Sequence, residues 1–100
     1  MYEMLVGLEV SDSNVYGQYR QAMKPILDSY GGGFGFDFTV SEVLLSQVEE
    51  PINRVFTINF PSQTAAESFF TDSHYLEIKA QYFAASVANT TIISSYQKHA

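Results

Sequence analysis

The chain has 100 residues and a formal charge of −6, with 46% hydrophobic and only 16% charged residues. These totals predict a single domain over residues 1–100, with a modest core that gains stability if a partner covers part of its surface. The acidic balance excludes a nucleic-acid-binding protein, because phosphate binding requires clustered Lys and Arg. The absence of cysteine excludes disulfides and cysteine-bound zinc.

Targeting and cofactor signals are also missing from the sequence. No apolar run approaches the roughly 18 residues of a membrane span. The chain enters its first apolar segment at Tyr2 without a basic region or a small-residue cleavage site. We therefore expect a soluble cytoplasmic protein without a membrane partner, and we expect neither a metal nor a cofactor.

The first two elements are predicted to be a strand and a helix. Residues from Tyr2 to Val10 alternate with a period of two, which predicts a half-buried strand. Asp12 or Ser13 is placed to cap the helix that follows. Apolar residues recur in that helix at spacings of three and four, at Val15, Tyr19, Ala22, Ile26 and Tyr30. Pro25 lies inside the helix and is expected to kink it or loosen one turn.

The stretch SYGGGFGFDF, residues 29–38, holds four of the six glycines. Gly31 and Gly32 follow the last periodic helical residue, where a left-handed cap favours glycine. Apolar residues then recur at every second position from Phe34 to Val40, which predicts a strand. A phosphate-binding loop would need its glycines between a strand and a helix, with a Lys-Ser/Thr pair or G-x-G-x-x-G spacing. We therefore interpret the stretch as a helix end followed by a strand.

The second half of the chain repeats the order of strand, helix and strand. A turn over residues 48–53 precedes an alternating strand from Arg54 to Phe60, and a last strand is predicted from about Thr90 to Tyr96.

The helical region between these two strands is predicted to have two parts. Ser62 or Thr64 is placed to cap a short helix through Phe70, and Asp72 or Ser73 to cap a second segment. One side of that second segment carries Tyr75, Ile78, Tyr82 and Ala85.

The element order βαββαβ predicts a ferredoxin-like α+β fold, a four-stranded antiparallel sheet with helices on one face. The face expected to lie under the helices carries Met4, Val6, Leu8, Phe34, Phe36, Phe38, Phe56, Ile58, Phe60, Ile92 and Tyr96. The other face carries Leu5, Gly7, Gly35, Thr39, Val55, Thr57, Asn59, Thr91, Ile93 and Ser95. Because this second face, the open face of the sheet, is nearly uncharged, we expect it to pack against a copy of itself, forming a homodimer.

Four segments carry a family resemblance: YEMLVGLEVSD, KPILDSYGG, RVFTINFPSQTAAESFF and DSHYLEIK. Together they resemble the dimeric α+β barrel superfamily and, within it, the family called domain of unknown function 1330. The resemblance covers nearly the whole chain and implies a ferredoxin-like protomer that dimerises through its sheet, with a cleft between sheet and helices. Relatives in the superfamily include cofactor-free monooxygenases, muconolactone isomerases and haem-degrading enzymes.

The chain departs from the family pattern in its basic residues. Family members usually carry basic residues at positions that correspond to Gly33, Asp37 and Tyr82 here. The resemblance therefore argues against an anion held by arginines at those three places.

Three residues are candidates for catalysis. His74 is a candidate general base, although its place at a helix start is typical of a solvent-exposed histidine. Asp37 alternates with phenylalanines and is expected on the open face, either buried with a raised pKa or near the barrel mouth with solvent or a charged partner. Tyr82 is a candidate catalytic hydroxyl.

An aromatic cleft between sheet and helices is the predicted ligand site. Its expected lining residues are Tyr30, Phe36, Phe70, Tyr75 and Tyr82. The same residues are also consistent with ordinary core packing. Arg54 is expected on the helix side of a strand end, where it would bind a substrate carboxylate or pair with an acidic residue at the sheet edge.

Two functions remain open at this point. The first is a protein that binds a small apolar or aromatic molecule in the cleft without converting it. The second is a cofactor-free isomerase or monooxygenase that uses a tyrosine and an acidic or histidine base, a hypothesis that rests on superfamily analogy. The sequence shows no acid and base paired at a suitable spacing, so the first function is favoured.

Overall fold

A computed structural model describes residues 1–99 of the chain. The strands are β1 Tyr2–Val10, β2 Gly33–Thr39, β3 Arg54–Phe60 and β4 Val87–Gln97. The helices are α1 Ser13–Ser29, α2 Gln63–Phe70, α3 Ser73–Ile78 and α4 Ala84–Ser86, with a π-helical turn over Lys79–Phe83. The strands form one antiparallel sheet in the order β2-β3-β1-β4, which confirms the predicted ferredoxin-like arrangement.

The single domain was predicted over residues 1–100, and residue 100 lies outside the described residues. Within residues 1–99, no helix has the combination of length and apolar character needed to cross a bilayer.

Short polar side chains set the starts of the main helices. The Asp12 carboxylate accepts a hydrogen bond from the Val15 N–H at 3.0 Å, which satisfies one of the backbone donors left free in a first helical turn. Ser62 and Asp72 cap α2 and α3 in the same way. In each case, the structure uses the first of the two predicted caps.

Helix α1 ends at a glycine, as predicted. Gly31 has a φ of 74°, and its N–H donates to the Asp28 carbonyl at 3.0 Å. The Gly32 N–H donates to the Leu27 carbonyl at 3.0 Å, so the last carbonyls of α1 are satisfied. A Cβ on Gly31 would lie 2.8 Å from Pro61 Cγ, which makes this position doubly restricted to glycine.

The core lies between the helices and one face of the sheet. Its buried residues are Val6, Leu8, Tyr16, Tyr19, Met23, Leu27, Phe56, Ile58, Phe60, Ala66, Phe69 and Tyr75. Helix α1 runs without interruption through Pro25. It buries Tyr16, Tyr19, Met23 and Leu27. In most turns the predicted apolar stripe lies one residue before the buried one. Both stripes have apolar spacings of three and four, so only packing on the sheet distinguishes them.

A β-bulge in β2 overturns part of the predicted face assignment. Phe34 pairs with Ile58, but the next pairs are Asp37 with Phe56 and then Phe38 with Val55, the β3 residue before Phe56. One extra residue on β2 reverses the alternation beyond the bulge. Asp37 therefore lies on the helix-covered face and Phe38 on the open face, the opposite of the prediction. Phe36 is exposed at the bulge and not covered by helices.

A second bulge has the same effect in β4. The pairing of β4 with β1 shifts between Leu5 and Val6. Beyond the shift, Tyr96 pairs with Glu3 on the open face, and the Tyr96 hydroxyl donates a hydrogen bond to the Glu3 carboxylate at 2.6 Å. The prediction that Tyr96 faces the helices was therefore wrong.

The substitution Gly31→Ala is expected to lower the free energy of unfolding by about 2 kcal/mol, because an L-residue is strained at this positive φ and its Cβ meets Pro61. The matched control is Gly17→Ala. Gly17 is exposed inside α1, and a Cβ there would meet nothing within 4 Å. The control is expected to stabilise the protein by about 0.5–1 kcal/mol. Urea denaturation measures both changes, and equal effects would contradict the assigned cap.

Candidate functional site

A cavity of about 330 Å³ lies between the covered face of the sheet and the helices. Its apolar walls come from Met4, Val6, Leu8, Met23, Phe34, Phe56, Ile58, Phe70, Phe83 and Ile92. Its polar lining comes from Tyr16, Tyr19, Arg20, Tyr75, Lys79 and Thr90. Among the described residues, no Asp, Glu or His belongs to this lining.

Two buried tyrosines form a polar pair in the cavity wall. The hydroxyl oxygens of Tyr19 and Tyr75 lie 2.8 Å apart and share one hydrogen bond. The ring of Phe83 packs edge-on against Tyr19, with 5.0 Å between ring centroids. Burial raises the pKa of both phenols, so both stay protonated. Two hydroxyls that share one bond retain one hydrogen that can be donated to a bound molecule.

A cluster of two arginines and one aspartate lies beside the cavity. Arg54 donates two hydrogen bonds to Asp37, from Nε at 2.7 Å and from Nη2 at 2.8 Å. Nη2 of Arg20 lies 3.3 Å from the Asp37 carboxylate. The hydrogen bonds from Arg54, followed by the charge of Arg20, hold the pKa of Asp37 below its usual range. Asp37 is therefore an ionised partner for the arginines.

Arg20 reaches the cavity from the inward face of α1. Its guanidinium lies 3.8 Å from the centroid of the Phe34 ring, and Nε donates a hydrogen bond to the Tyr16 hydroxyl at 2.8 Å. The buried Nη2 forms an ion pair with the Asp37 carboxylate.

The structure places two of the predicted ligand-binding residues, Phe70 and Tyr75, in the cavity lining. Tyr30 lies outside the lining, and its hydroxyl donates a hydrogen bond to Asp72 at 2.7 Å. Phe36 is exposed at the bulge. A binding role for these four aromatic residues stays a prediction.

The other predicted site residues lie around the cavity and not in its lining. Arg54 pairs with Asp37, the second of its two predicted roles. Asp37 was expected on the open face with a raised pKa if buried, and instead it is ion-paired on the covered face with a lowered pKa. His74 is exposed in the first turn of α3. The π-helical turn, which holds one more residue than an α-turn, places Phe83 in the lining and leaves Tyr82 outside.

The sequence interpretation missed most of the polar lining. Tyr16 and Arg20 lie four residues apart, and Met23 follows at three, so all three share one side of α1. A charged residue within an otherwise apolar helical stripe is the signal that identifies Arg20. Lys79 follows the buried Tyr75 by four residues, so the same helical spacing places it on the side of Tyr75, although its side chain is exposed.

A change of Asp37 to Asn tests the arginine–aspartate cluster through pH. A carboxylate with a lowered pKa in the folded state adds stability above its unfolded pKa of about 4, and this stability is lost as the pH falls through the folded value. Asp37→Asn is therefore expected to be about 1 kcal/mol less stable at pH 7 and to lose less stability below pH 4.

Urea midpoints between pH 2 and pH 7 measure this difference. Some acid dependence remains in the variant, because the hydrogen bond from Tyr30 also lowers the pKa of Asp72. The control is Asp28→Asn, which removes an exposed ion pair with Lys24 and is expected to change little. Equal effects of the two substitutions would show that Asp37 is no more than a surface partner.

The sheet, the helices on one of its faces and the cavity between them define a ferredoxin-like α+β protein. The family model described as Domain of unknown function (DUF1330) matches residues 4–96. The chain therefore belongs to this family, which confirms the resemblance seen in the sequence. No curated protein matches the chain at a significant level.

Solved structures share the fold at low sequence identity. A protein of unknown function from Rhodopseudomonas palustris has a TM-score of 0.79 and 18% identity, with 99% of this chain and 82% of that chain covered. A dabb family protein with a ferredoxin-like fold from Mesorhizobium loti has a TM-score of 0.66 and 14% identity, covering 99% and 97%. A dimeric protein of unknown function and ferredoxin-like fold from Bacteroides fragilis has a TM-score of 0.60 and 10% identity, covering 97% and 95%.

Proposed function

We propose that the protein binds a small apolar or aromatic molecule in the cavity between the sheet and the helices. The observation that carries this proposal is the cavity of about 330 Å³ with its largely apolar wall. An apolar cavity of about 150 Å³ holds benzene, so this one has room for a molecule of about two rings. Ligand sites generally combine such walls with a few polar groups, as the tyrosines do here.

The alternative of a cofactor-free isomerase or monooxygenase needs a base within reach of the substrate. The described lining residues supply hydroxyls and cations but no carboxylate or imidazole. Asp37 is engaged by Arg54, and His74 is exposed outside the lining. A binding function requires none of these groups, so the geometry supports it better than catalysis.

The substitution Thr90→Trp is expected to obstruct the cavity. Thr90 lines it from β4 and is exposed, so a larger side chain can be accommodated without overpacking the core. We expect the affinity for 2-naphthylmethanol, measured by isothermal titration calorimetry, to fall by at least about tenfold.

The control for this experiment is Leu76→Trp. Leu76 is 46% exposed on α3 and lies outside the cavity lining, so its substitution should leave the affinity within about twofold. If wild-type protein binds neither this alcohol nor the corresponding acid, 2-naphthoate, or if both variants lose binding equally, the cavity is not the ligand site.

We also propose that the chain forms a homodimer through the open face of its sheet. Phe38 is half-exposed there, and the chain between β2 and β3 carries exposed Leu44 and Leu45. This connection and the open face enclose a second, wide apolar cavity of about 650 Å³ beside Val55 and Ile93. Exposed apolar surface of this kind marks interaction sites, and the Bacteroides fragilis neighbour is described as dimeric.

A charge at Phe38 tests the dimer. Phe38→Glu places two carboxylates in the proposed interface, where burial without a partner is costly, so light scattering after size exclusion should report a folded monomer. Leu76→Glu alters a side chain of similar exposure on the helical layer, 46% against 52%, and should leave the mass unchanged. A Phe38→Glu dimer would rule out this face, as would a monomeric wild-type protein.

A further inference from the structure

We infer that the cavity selects small monocarboxylic acids with an apolar body, and that Arg20 binds their carboxylate. This inference rests on the proposed binding function and names the chemical class of the ligand. It is carried by the polar groups of the cavity wall, which are hydrogen-bond donors and include Arg20 and Lys79 but, among the described residues, no acidic side chain.

The arginine–aspartate cluster beside the cavity has an excess positive charge. The Asp37 carboxylate accepts two hydrogen bonds from Arg54 in a bidentate pair, the strongest arrangement for these two groups. Two guanidinium groups and one carboxylate leave one positive charge in the cluster, and the second guanidinium belongs to Arg20. Lys79 adds another cation to the lining, although the chain as a whole carries a charge of −6.

Arg20 is the arginine of this cluster that lines the cavity. Its side chain is only 17% exposed, and the aromatic ring of Phe34 under the guanidinium restricts its movement. Its ion pair with Asp37, at 3.3 Å, is shared with Arg54, which already donates two hydrogen bonds to that carboxylate. A mostly buried charge is costly unless it is fully paired, and a bound carboxylate would reduce that cost.

The same lining holds a hydroxyl donor besides Arg20. The paired hydroxyls of Tyr19 and Tyr75 retain one hydrogen to donate. Arginine and phenol hydroxyls are both donors that suit carboxylate oxygens, whereas the apolar wall suits a hydrocarbon body of about two rings. A neutral hydrocarbon would leave the excess charge and the remaining phenol hydrogen without a partner.

The test compares two probes of nearly equal size, 2-naphthoate and 2-naphthylmethanol, by isothermal titration calorimetry at pH 7. Wild-type protein is expected to bind the carboxylate at least about tenfold more tightly, as befits charge-assisted hydrogen bonds. Arg20→Met keeps the apolar stem and should lose at least about tenfold for the carboxylate but less than about threefold for the alcohol. Arg20→Lys should restore part of the preference.

Lys24→Met is the matched control, because Lys24 is an exposed cation on the same helix, and it should leave both affinities unchanged. Equal affinities of the wild-type protein for the two probes would overturn the inference while leaving the proposed binding function intact. The same holds for an Arg20→Met protein that keeps its preference for the carboxylate. A wild-type protein that binds neither probe contradicts both proposals. Because the wild-type comparison needs no variant, the inference remains testable even if Arg20→Met does not fold.

Discussion

The site depends on the β-bulge in β2. The Phe36 N–H donates a hydrogen bond to the Thr57 hydroxyl at 2.8 Å, and a Cβ on Gly35 would lie 2.6 Å from the same oxygen. A glycine is therefore required where β2 passes over Thr57, and the threonine holds the extra residue in place. The bulge turns Asp37 towards α1, where Arg54 and Arg20 meet it. Without the bulge, Asp37 would face the open side of the sheet.

As a consequence, Arg54 and Arg20 contact the carboxylate of Asp37 unequally. Arg54 donates a hydrogen bond to each oxygen of Asp37, whereas Arg20 contacts the same carboxylate as an ion pair and donates its Nε hydrogen to Tyr16. Stacking on Phe34 offsets part of the cost of burying this guanidinium. Close to the apolar wall the effective dielectric constant is low, so the remaining charge acts strongly on any molecule in the cavity. An electrostatic preference is thus built into a site whose walls are otherwise apolar.

Sequence reasoning identified the fold and only part of the site. Phe70 and Tyr75 were predicted and do line the cavity, because each follows from a cap and a helical period near it. The sequence assigned Asp37 to the wrong face of the sheet. It also placed Phe36 under the helices and Tyr82 in the cavity wall, whereas Phe36 is exposed and Tyr82 lies outside the lining. Each of these three lies at or beyond an irregularity, a bulge or a π-helical turn, that adds one residue to a regular period. One extra residue moves the following side chains of a strand to the opposite face of the sheet, and it turns the following side chains of a helix around the helix axis. The amino-acid composition does not reveal where such an extra residue occurs.

The sequence by itself determined the main elements and their order, and it placed most of their ends to within a few residues. Alternation, helical spacing, a pair of possible caps before each main helix and the glycine at Gly31 are local properties of the chain, so they can be recognised without the fold. Only the tertiary structure decided which stripe of α1 packs inward, and with it the position of Arg20 above Phe34. It also decided how one carboxylate is divided between two arginines. These choices depend on contacts between residues far apart in the chain, where packing and hydrogen-bond geometry select among patterns that the sequence leaves equivalent.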